Sequence, residues 1–208
     1  MDPARCRLNR IPVPFEPAAW APLAPLAAYR ALLEKVARDQ GGPAWPPVDK
    51  YRTLLGADVD FMIPKGRLPA GMDASDIDSS YIGYCAQGQV PSRPNNLHDF
   101  LNALTWTLFP LGKRALCQRQ IQIARARGAP TNRVRTRAQD HLAMLDEGGL
   151  LLDPNQLPMI FGHALLEDEI RGRVSRGMQI PVISFADPHV AEVIAHLPLP
   201  DEPPVIAP

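Results

Sequence analysis

The sequence predicts an α+β fold: a helix-rich single domain with a few short strands. Apolar residues recur at helical spacing in several segments, and short apolar runs stop at prolines or glycines. The chain has 24 prolines among 208 residues, spread widely enough to cut it into short elements with irregular connections. Because strands and helices do not alternate regularly, the pattern favours α+β over a parallel βαβ sheet.

Three regions are predicted along the chain. Residues 1–24 form an extended, proline-rich arm packed by Phe15 and Trp20. Residues 25–197 form a single globular domain, and residues 198–208 form a disordered, proline-rich tail. A chain of this length buries enough surface to build a core without disulfides.

The first half of the domain contains two predicted helices and one predicted strand. Pro25–Gln40 has apolar residues at helical spacing, and the glycines after it end the helix. Val59–Ile63 is a short strand that stops before a proline. A second helix begins near Asn95 or Asn96, either of which could cap it, and ends or kinks at Pro110. Its core-facing stripe consists of Leu97, Phe100, Leu101, Leu104 and Leu108.

The second half mixes short helices and strands. The sequence predicts helices over residues 113–127, 161–171 and 187–195, and a strand over residues 181–185. Residues 142–152 fit two interpretations, a helix followed by a strand or a β-hairpin. The hairpin, with residues 146–149 as its turn, is favoured because glycines follow the acidic residues and both flanks are apolar.

Composition excludes several classes of protein. Net charge is zero, from 22 Lys+Arg and 22 Asp+Glu, so long-range charge does not draw the whole molecule to nucleic acid or acidic lipid. Three widely spaced cysteines form neither a disulfide framework nor a zinc pattern. The apolar runs are too short to span a membrane, and no signal-peptide core is visible, so the sequence predicts a cytoplasmic protein. Phosphate-binding loops and the serine-hydrolase elbow are absent.

Two predicted helices carry polar side chains suited to chemistry. His98 and Asn102 lie one turn apart on the helix that begins near Asn96, on a face that also carries aromatics. His163 and Glu167 have the same spacing on the later helix. Two helices that each present a histidine and an oxygen ligand could build a divalent-metal site or an acid–base pair. If they share a site, the two imidazoles should lie within about 7 Å of each other.

Residues are assigned to roles on this basis. The candidate catalytic residues are His98, Asp99, Asn102, His163 and Glu167. The candidate substrate-binding residues are Arg93, Trp106, Lys113, Asp146 and Glu147. The candidate ligands of a divalent metal are His98, Asp99, His163 and Glu167. The reaction predicted for such a cleft is hydrolysis or another metal-assisted conversion.

Two other functions fit the same sequence. Eight basic residues and no acidic ones lie between Lys113 and Arg137, which suits a nucleic-acid or other anionic partner. The arginines proposed for that contact are Arg119, Arg125, Arg127, Arg133, Arg135 and Arg137. These arginines could instead pair with acidic residues elsewhere in the chain. The His/Asp/Asn face could likewise be a purely structural hub that satisfies buried backbone groups.

Three segments together resemble a known family. They are residues 88–113, which contain the run His98-Asp99-Phe100-x-Asn102-Ala103-Leu104-x-Trp106, residues 139–149 and residues 161–167. In order and spacing they resemble the uncharacterised bacterial family called domain of unknown function 3025, over roughly residues 50–170. The sequence departs from that pattern at Leu97, where an aromatic is expected, and at Gly148. The resemblance implies a cytoplasmic bacterial protein and supplies no activity, because the family has none assigned.

Overall fold

The structure, a computed structural model, describes residues 13–71, 73–127, 134–173 and 176–200. The first part of the predicted arm (1–12), most of the predicted tail (201–208) and Arg133 lie outside the described residues.

The N-terminal part of the chain is helical. Helix α1 is a single turn, Pro17–Trp20, within the arm predicted to be extended, and Pro17 occupies a first-turn position. A 3₁₀ helix at Ala24–Tyr29 leads into α2 (Arg30–Gln40), so the helix predicted from Pro25 begins with tighter turns. Helix α2 ends at Gly41, whose φ of 67° is a left-handed conformation that glycine adopts without strain. Helix α3 (Tyr51–Leu55) follows a second 3₁₀ turn.

The middle of the chain holds a two-stranded sheet and several helices. Strand β1 (Asp60–Met62) pairs in parallel with β2 (Gln89–Pro91). Between these strands lies α4 (Tyr81–Ala86), and after them come α5 (Leu97–Leu108) and α6 (Pro110–Arg127).

The C-terminal part forms a second small sheet between helices. Its helices are α7 (Arg137–Gly148), α8 (His163–Ile170) and α9 (Asp187–His196). Its strands are β3 (Gly149–Leu152), β4 (Pro158–Ile160) and β5 (Met178–Pro181), in the spatial order β4-β3-β5. Strand β3 is antiparallel to β4 and parallel to β5.

The predicted hairpin near residues 142–152 is wrong, and the alternative of a helix followed by a strand is what the structure shows. A capping box starts α7, because the side chains of Thr136 and Gln139 each accept a hydrogen bond from the other's backbone. The helix therefore continues through the acidic pair that was predicted to form the turn. Gly149 is extended (φ −64°, ψ 134°) and begins β3 directly. The antiparallel partner of β3 is β4, with Leu150 opposite Ile160.

Two hydrophobic clusters make up most of the core. The larger one packs α5 and β1–β2 against the N-terminal helices, and its rings include Phe15, Trp20, Tyr51 and Phe100. The second lies around β3, where Phe161 packs against Phe109. These helices and two small sheets confirm the α+β class. Within the described ranges, no helix combines the length and hydrophobicity needed to cross a membrane.

Candidate metal centre

Helix α5 supplies the first candidate ligand, His98. The side chain of Asn96 caps this helix by accepting a hydrogen bond from the backbone of Asp99 at 3.0 Å. The apolar stripe of α5 faces the larger core, and Asn102 and Trp106 on the other side are buried as well. The helix is thus buried along most of its length, while the side chain of His98 is 27% exposed.

A close contact between two backbone segments brings Glu147 beside His163. A Cβ atom on Gly162 would lie 2.3 Å from the nitrogen of Gly149 and 2.5 Å from the carbonyl oxygen of Glu147, so only glycine fits there. The backbone N–H groups of Phe161 and Gly162 both donate to the carbonyl of Gly149, at 2.8 and 2.9 Å. The end of α7 and the start of α8 are therefore held directly against each other.

Three ligand atoms converge at this contact. Nε2 of His98 lies 2.9 Å from Nε2 of His163. Oε2 of Glu147 lies 3.7 Å from Nε2 of His98 and 3.6 Å from Nε2 of His163. For a metal with bonds of about 2.1 Å, neighbouring ligand atoms are separated by about 3.0–3.4 Å. The three side chains therefore have nearly the spacing that one metal ion requires.

The pKa values of the two imidazoles shift in opposite directions. Burial lowers the pKa of His98, but the hydrogen bond to Glu167 and the charge of Glu147 outweigh it, and the pKa is raised above the ordinary value. Burial lowers the pKa of His163 well below that value, and the charges of His98 and Lys113 lower it further. His163 therefore stays neutral at neutral pH. Two unprotonated ring nitrogens 2.9 Å apart repel each other, so a proton or a cation is needed between them.

The two glutamates near His98 have different environments. Burial raises the pKa of Glu147, partly offset by the charges of His98 and Lys113, although half of its side chain is exposed. Glu167 is 2% exposed. Burial would raise its pKa, but hydrogen bonds from His98 and Arg171 outweigh this and lower it. Glu167 is therefore a buried carboxylate that remains ionised.

A buried ion pair lies beside the cluster. The ammonium of Lys113, 2% exposed, donates to the carboxylate of Asp146, the residue before Glu147. It also lies 5.9 Å from the ring centroid of Trp106 and 5.7 Å from that of Phe161. This pair fixes the last turn of α7, from which Glu147 projects.

Residues 72–158 match the profile of the family described as "Protein of unknown function (DUF3025)". The resemblance to DUF3025 is confirmed. The DUF3025 match includes His98 and Glu147 and ends before His163. Among curated proteins, none matches this sequence.

The fold is similar to that of phenylalanine hydroxylase from Chromobacterium violaceum. The structure of that protein bound to cobalt matches with a TM-score of 0.51 and 16% identity, covering 90% of this chain and 83% of that chain. An aspartate-to-alanine variant of the same protein matches with a TM-score of 0.51 and 16% identity, covering 88% of this chain and 79% of that chain. At this identity the comparison shows a shared fold.

The remaining residues predicted as site residues lie around the cluster. Asp99 binds the guanidinium of Arg93 through both carboxylate oxygens, each at 2.8 Å, and accepts from the backbone of Arg93 at 2.6 Å. It is not one of the three converging ligands, although it follows His98 directly. Asn102 donates to the hydroxyl of Tyr81 at 2.6 Å.

Two polar atoms on α5 are buried without a hydrogen-bond partner among the described residues. They are Oδ1 of Asn102 and Nε1 of Trp106. Both lie on the helix face that carries His98, at successive turns. An open groove lined by Ala18, Ala21, Pro22, Arg30, Glu34, Ala37 and Arg38 lies elsewhere, on the N-terminal helices.

Much of the basic segment lies on α6, and several of its arginines form contacts within the protein. Arg119 is 6% exposed and donates to the carbonyl of Ile194. Arg125 pairs with Asp78 at 2.9 Å on the surface, and Arg127 donates to the carbonyl of Val134. These contacts agree with the alternative in which the arginines have partners within the chain.

Sequence reasoning missed Gly162, Arg171 and Tyr81 as parts of the site. Arg171 follows Glu167 by one helical turn, a spacing that predicts an ion pair and could have been noticed. Gly162 stands directly before a candidate histidine. The close approach that it permits is to the backbone of Glu147 and Gly149, which are distant in the sequence. Tyr81 has no local signal that links it to Asn102.

Proposed function

We propose that this protein is a metal-dependent enzyme whose metal ion is held by His98, Glu147 and His163. The observation that carries the proposal is the convergence of their three ligand atoms, which all lie within 4.8 Å of one another. Asp99 and Glu167, the other metal candidates from the sequence, are assigned to supporting roles.

The donor set fits a divalent transition metal. Two neutral imidazoles and one carboxylate provide nitrogen and oxygen ligands of intermediate softness, which suit iron, cobalt or zinc better than calcium or magnesium. The repulsion between Nε2 of His98 and Nε2 of His163 is relieved when both lone pairs bind one cation. Glu147, half exposed, lies on the side from which solvent reaches the site.

The reaction class we propose is oxygen-dependent hydroxylation. Two histidines and one carboxylate that leave coordination positions open form the ligand set of non-haem Fe(II) oxygenases, in which the metal supplies oxygen activation. The fold supports this assignment, since the similar structures are described as a phenylalanine hydroxylase, one of them bound to cobalt. In this chain, His163 is buried and contributes a lone pair that stays unprotonated.

The residues around the cluster are assigned to substrate binding. Arg93 is held by Asp99, its side chain is 62% exposed, and an arginine fixed in this way suits an anionic group such as a carboxylate. Asn102 and Trp106 offer a buried acceptor and a buried donor. Lys113 and Asp146 neutralise each other and set the position of Glu147.

Hydrolysis is the second candidate reaction, because zinc hydrolases also use two histidines and a glutamate. The metal separates the two candidates. An activity that requires iron and oxygen would support hydroxylation. An activity that requires zinc and uses water as the second substrate would support hydrolysis. The bacterial origin and cytoplasmic location implied by the family resemblance remain part of this proposal.

The proposal is tested by metal analysis of protein prepared with iron, cobalt or zinc. The wild type should bind about one equivalent, and His98→Ala, His163→Ala and Glu147→Ala should each weaken binding by at least about tenfold. His141→Ala is a matched control, because His141 lies on α7 outside the cluster. Wild-type protein that binds no transition metal, or ligand variants that bind as tightly as the control, would contradict the proposal.

A further inference from the structure

Glu167 contacts the candidate metal centre without belonging to it. It lies on α8, one turn after His163, and its side chain is almost fully buried. One oxygen, Oε2, lies 3.1 Å from Nδ1 of His98, and the other, Oε1, accepts from Nε of Arg171 at 2.7 Å. Arg173 approaches the same Oε1 at 3.9 Å.

A buried carboxylate is stable only when its oxygens have donors. Arg171 provides a charged donor to one oxygen of Glu167, and the ring of His98 provides a donor to the other. The hydrogen bond to Oε2 requires a proton on Nδ1 of His98, because an ionised carboxylate only accepts. With the proton on Nδ1, the neutral ring has its lone pair on Nε2, the nitrogen that faces His163 and Glu147.

We propose that Glu167 is a positioning residue for the metal centre. It selects the tautomer of His98 that presents Nε2 to the metal, and it holds the ring plane in the orientation that the other two ligands require. Arg171 fixes the rotamer of Glu167 by donating a hydrogen bond to Oε1. The inference rests on the proposed function, because it assigns Glu167 a role toward the metal held by His98, Glu147 and His163.

Two other roles for Glu167 make different predictions. As a fourth metal ligand, it would have to release His98 or Arg171, since both of its oxygens are engaged. As a purely structural link between α5 and α8, it would affect folding stability and leave the metal unchanged. A positioning role instead predicts weaker metal binding with an unchanged set of ligands.

The first experiment uses cobalt as the probe, because the visible absorption of Co(II) reports its coordination. In Glu167→Gln the affinity for Co(II), measured by competition with a chromophoric chelator, should fall about 10- to 100-fold. The intensity and position of the absorption bands should still indicate the ligand number seen in the wild type. Glu169→Gln, on the same helix and outside the cluster, is the matched control and should bind as the wild type does.

The second experiment needs no variant and so remains valid if Glu167→Gln fails to fold. In wild-type protein with ¹⁵N-labelled histidine and bound Zn(II), NMR should show His98 protonated on Nδ1 and bound to zinc through Nε2. Zinc on Nδ1, or a proton on Nε2, would overturn the inference.

The outcomes separate the inference from the proposed function. Wild-type protein that binds neither Co(II) nor Zn(II) would contradict the metal centre itself. Wild-type protein that binds the metal, with Glu167→Gln binding equally well, would overturn the positioning role alone. A cobalt spectrum that shows one ligand fewer in Glu167→Gln would also overturn it, by making Glu167 a ligand.

Discussion

The sequence predicts both the candidate metal centre and the basic segment on α6. In the structure, the side chains of the first converge on one point, whereas those of the second do not. At the metal centre, His98, Glu147 and His163 come from separate helices and their ligand atoms converge. Along α6, Arg119 is buried against a carbonyl while Arg125 forms an exposed pair. Residues from several elements can be aimed at one point, whereas successive residues of one helix point in all directions. Clustering in space therefore says more about function than clustering along the chain.

The largest effect is expected at Lys113, the residue of the basic segment that lies beside the candidate metal centre. Lys113→Ala leaves the carboxylate of Asp146, 14% exposed, without its cation. Loss of one partner of a buried pair costs about 3–5 kcal/mol, so the free energy of unfolding should fall by about that amount. Urea denaturation measures the loss. A change below about 1 kcal/mol would place Lys113 with the exposed arginines of α6.

The next largest effect is expected at Gly162. In Gly162→Ala, the added Cβ meets backbone atoms of Gly149 and Glu147, which have to move apart. Overpacking of this kind costs about 1–3 kcal/mol, and the displacement should also separate Glu147 from His163 and weaken metal binding. Thermal denaturation and cobalt titration measure the two effects. Gly42→Ala is the control, since a Cβ there meets no atom within 4 Å. Equal behaviour of the two variants would show that the contact does not shape the site.

Metal affinity should depend on pH through His98. A proton on Nε2 competes with the metal, and the pKa of His98 is raised above the ordinary value of 6.5. Affinity should therefore be constant above that raised pKa and fall about tenfold for each pH unit below it. Calorimetric titrations across this range measure the slope. An affinity that begins to fall only well below pH 6.5 would show that the negative charges around His98 do not raise its pKa in solution.

The smallest effect is expected for an arginine on the surface of α6. In the pair between Arg125 and Asp78, the two side chains are 61% and 67% exposed. Arg125→Ala should change the free energy of unfolding by about 0–1 kcal/mol and leave metal binding unchanged. The same variant tests the nucleic-acid alternative. A salt-sensitive gel shift with mixed RNA and DNA that Arg125→Ala weakens would favour that alternative for this surface.

The fold was predictable where local signals agree. Asn96 caps α5 as expected, and the leucine stripe after it faces the core. The predicted hairpin is wrong because the capping box of Thr136 and Gln139 starts a helix that continues through Gly148, so most of the predicted turn lies inside that helix. Short strands such as β5 depend on pairing with β3, which no local pattern reveals.

The candidate site was predictable in part. The spacing of His98 and Asn102, and of His163 and Glu167, identified both helices, and the ring centroids of the two histidines lie 4.3 Å apart. Spacing could not distinguish a ligand from a supporting residue. Glu147 reaches the cluster because α7 ends next to the start of α8. Glu167 is not one of the three converging residues, and its Oε1 instead accepts a hydrogen bond from Arg171. Both facts depend on contacts between segments rather than on the pattern within one helix. The catalytic roles of these residues remain predictions.

The way Gly149 joins the two helices has a consequence for how a metal would bind at the candidate centre. Gly149 begins β3, whose partners include Met178 of β5, and its carbonyl also anchors the turn before His163. A growing or unfolded chain therefore offers isolated donors from residue 98 to residue 163 and no preformed chelate. A metal taken up at this centre would bind the finished fold, and its binding energy would add to the stability of the native state. Metal occupancy would thus report the quality of folding in any preparation of the protein.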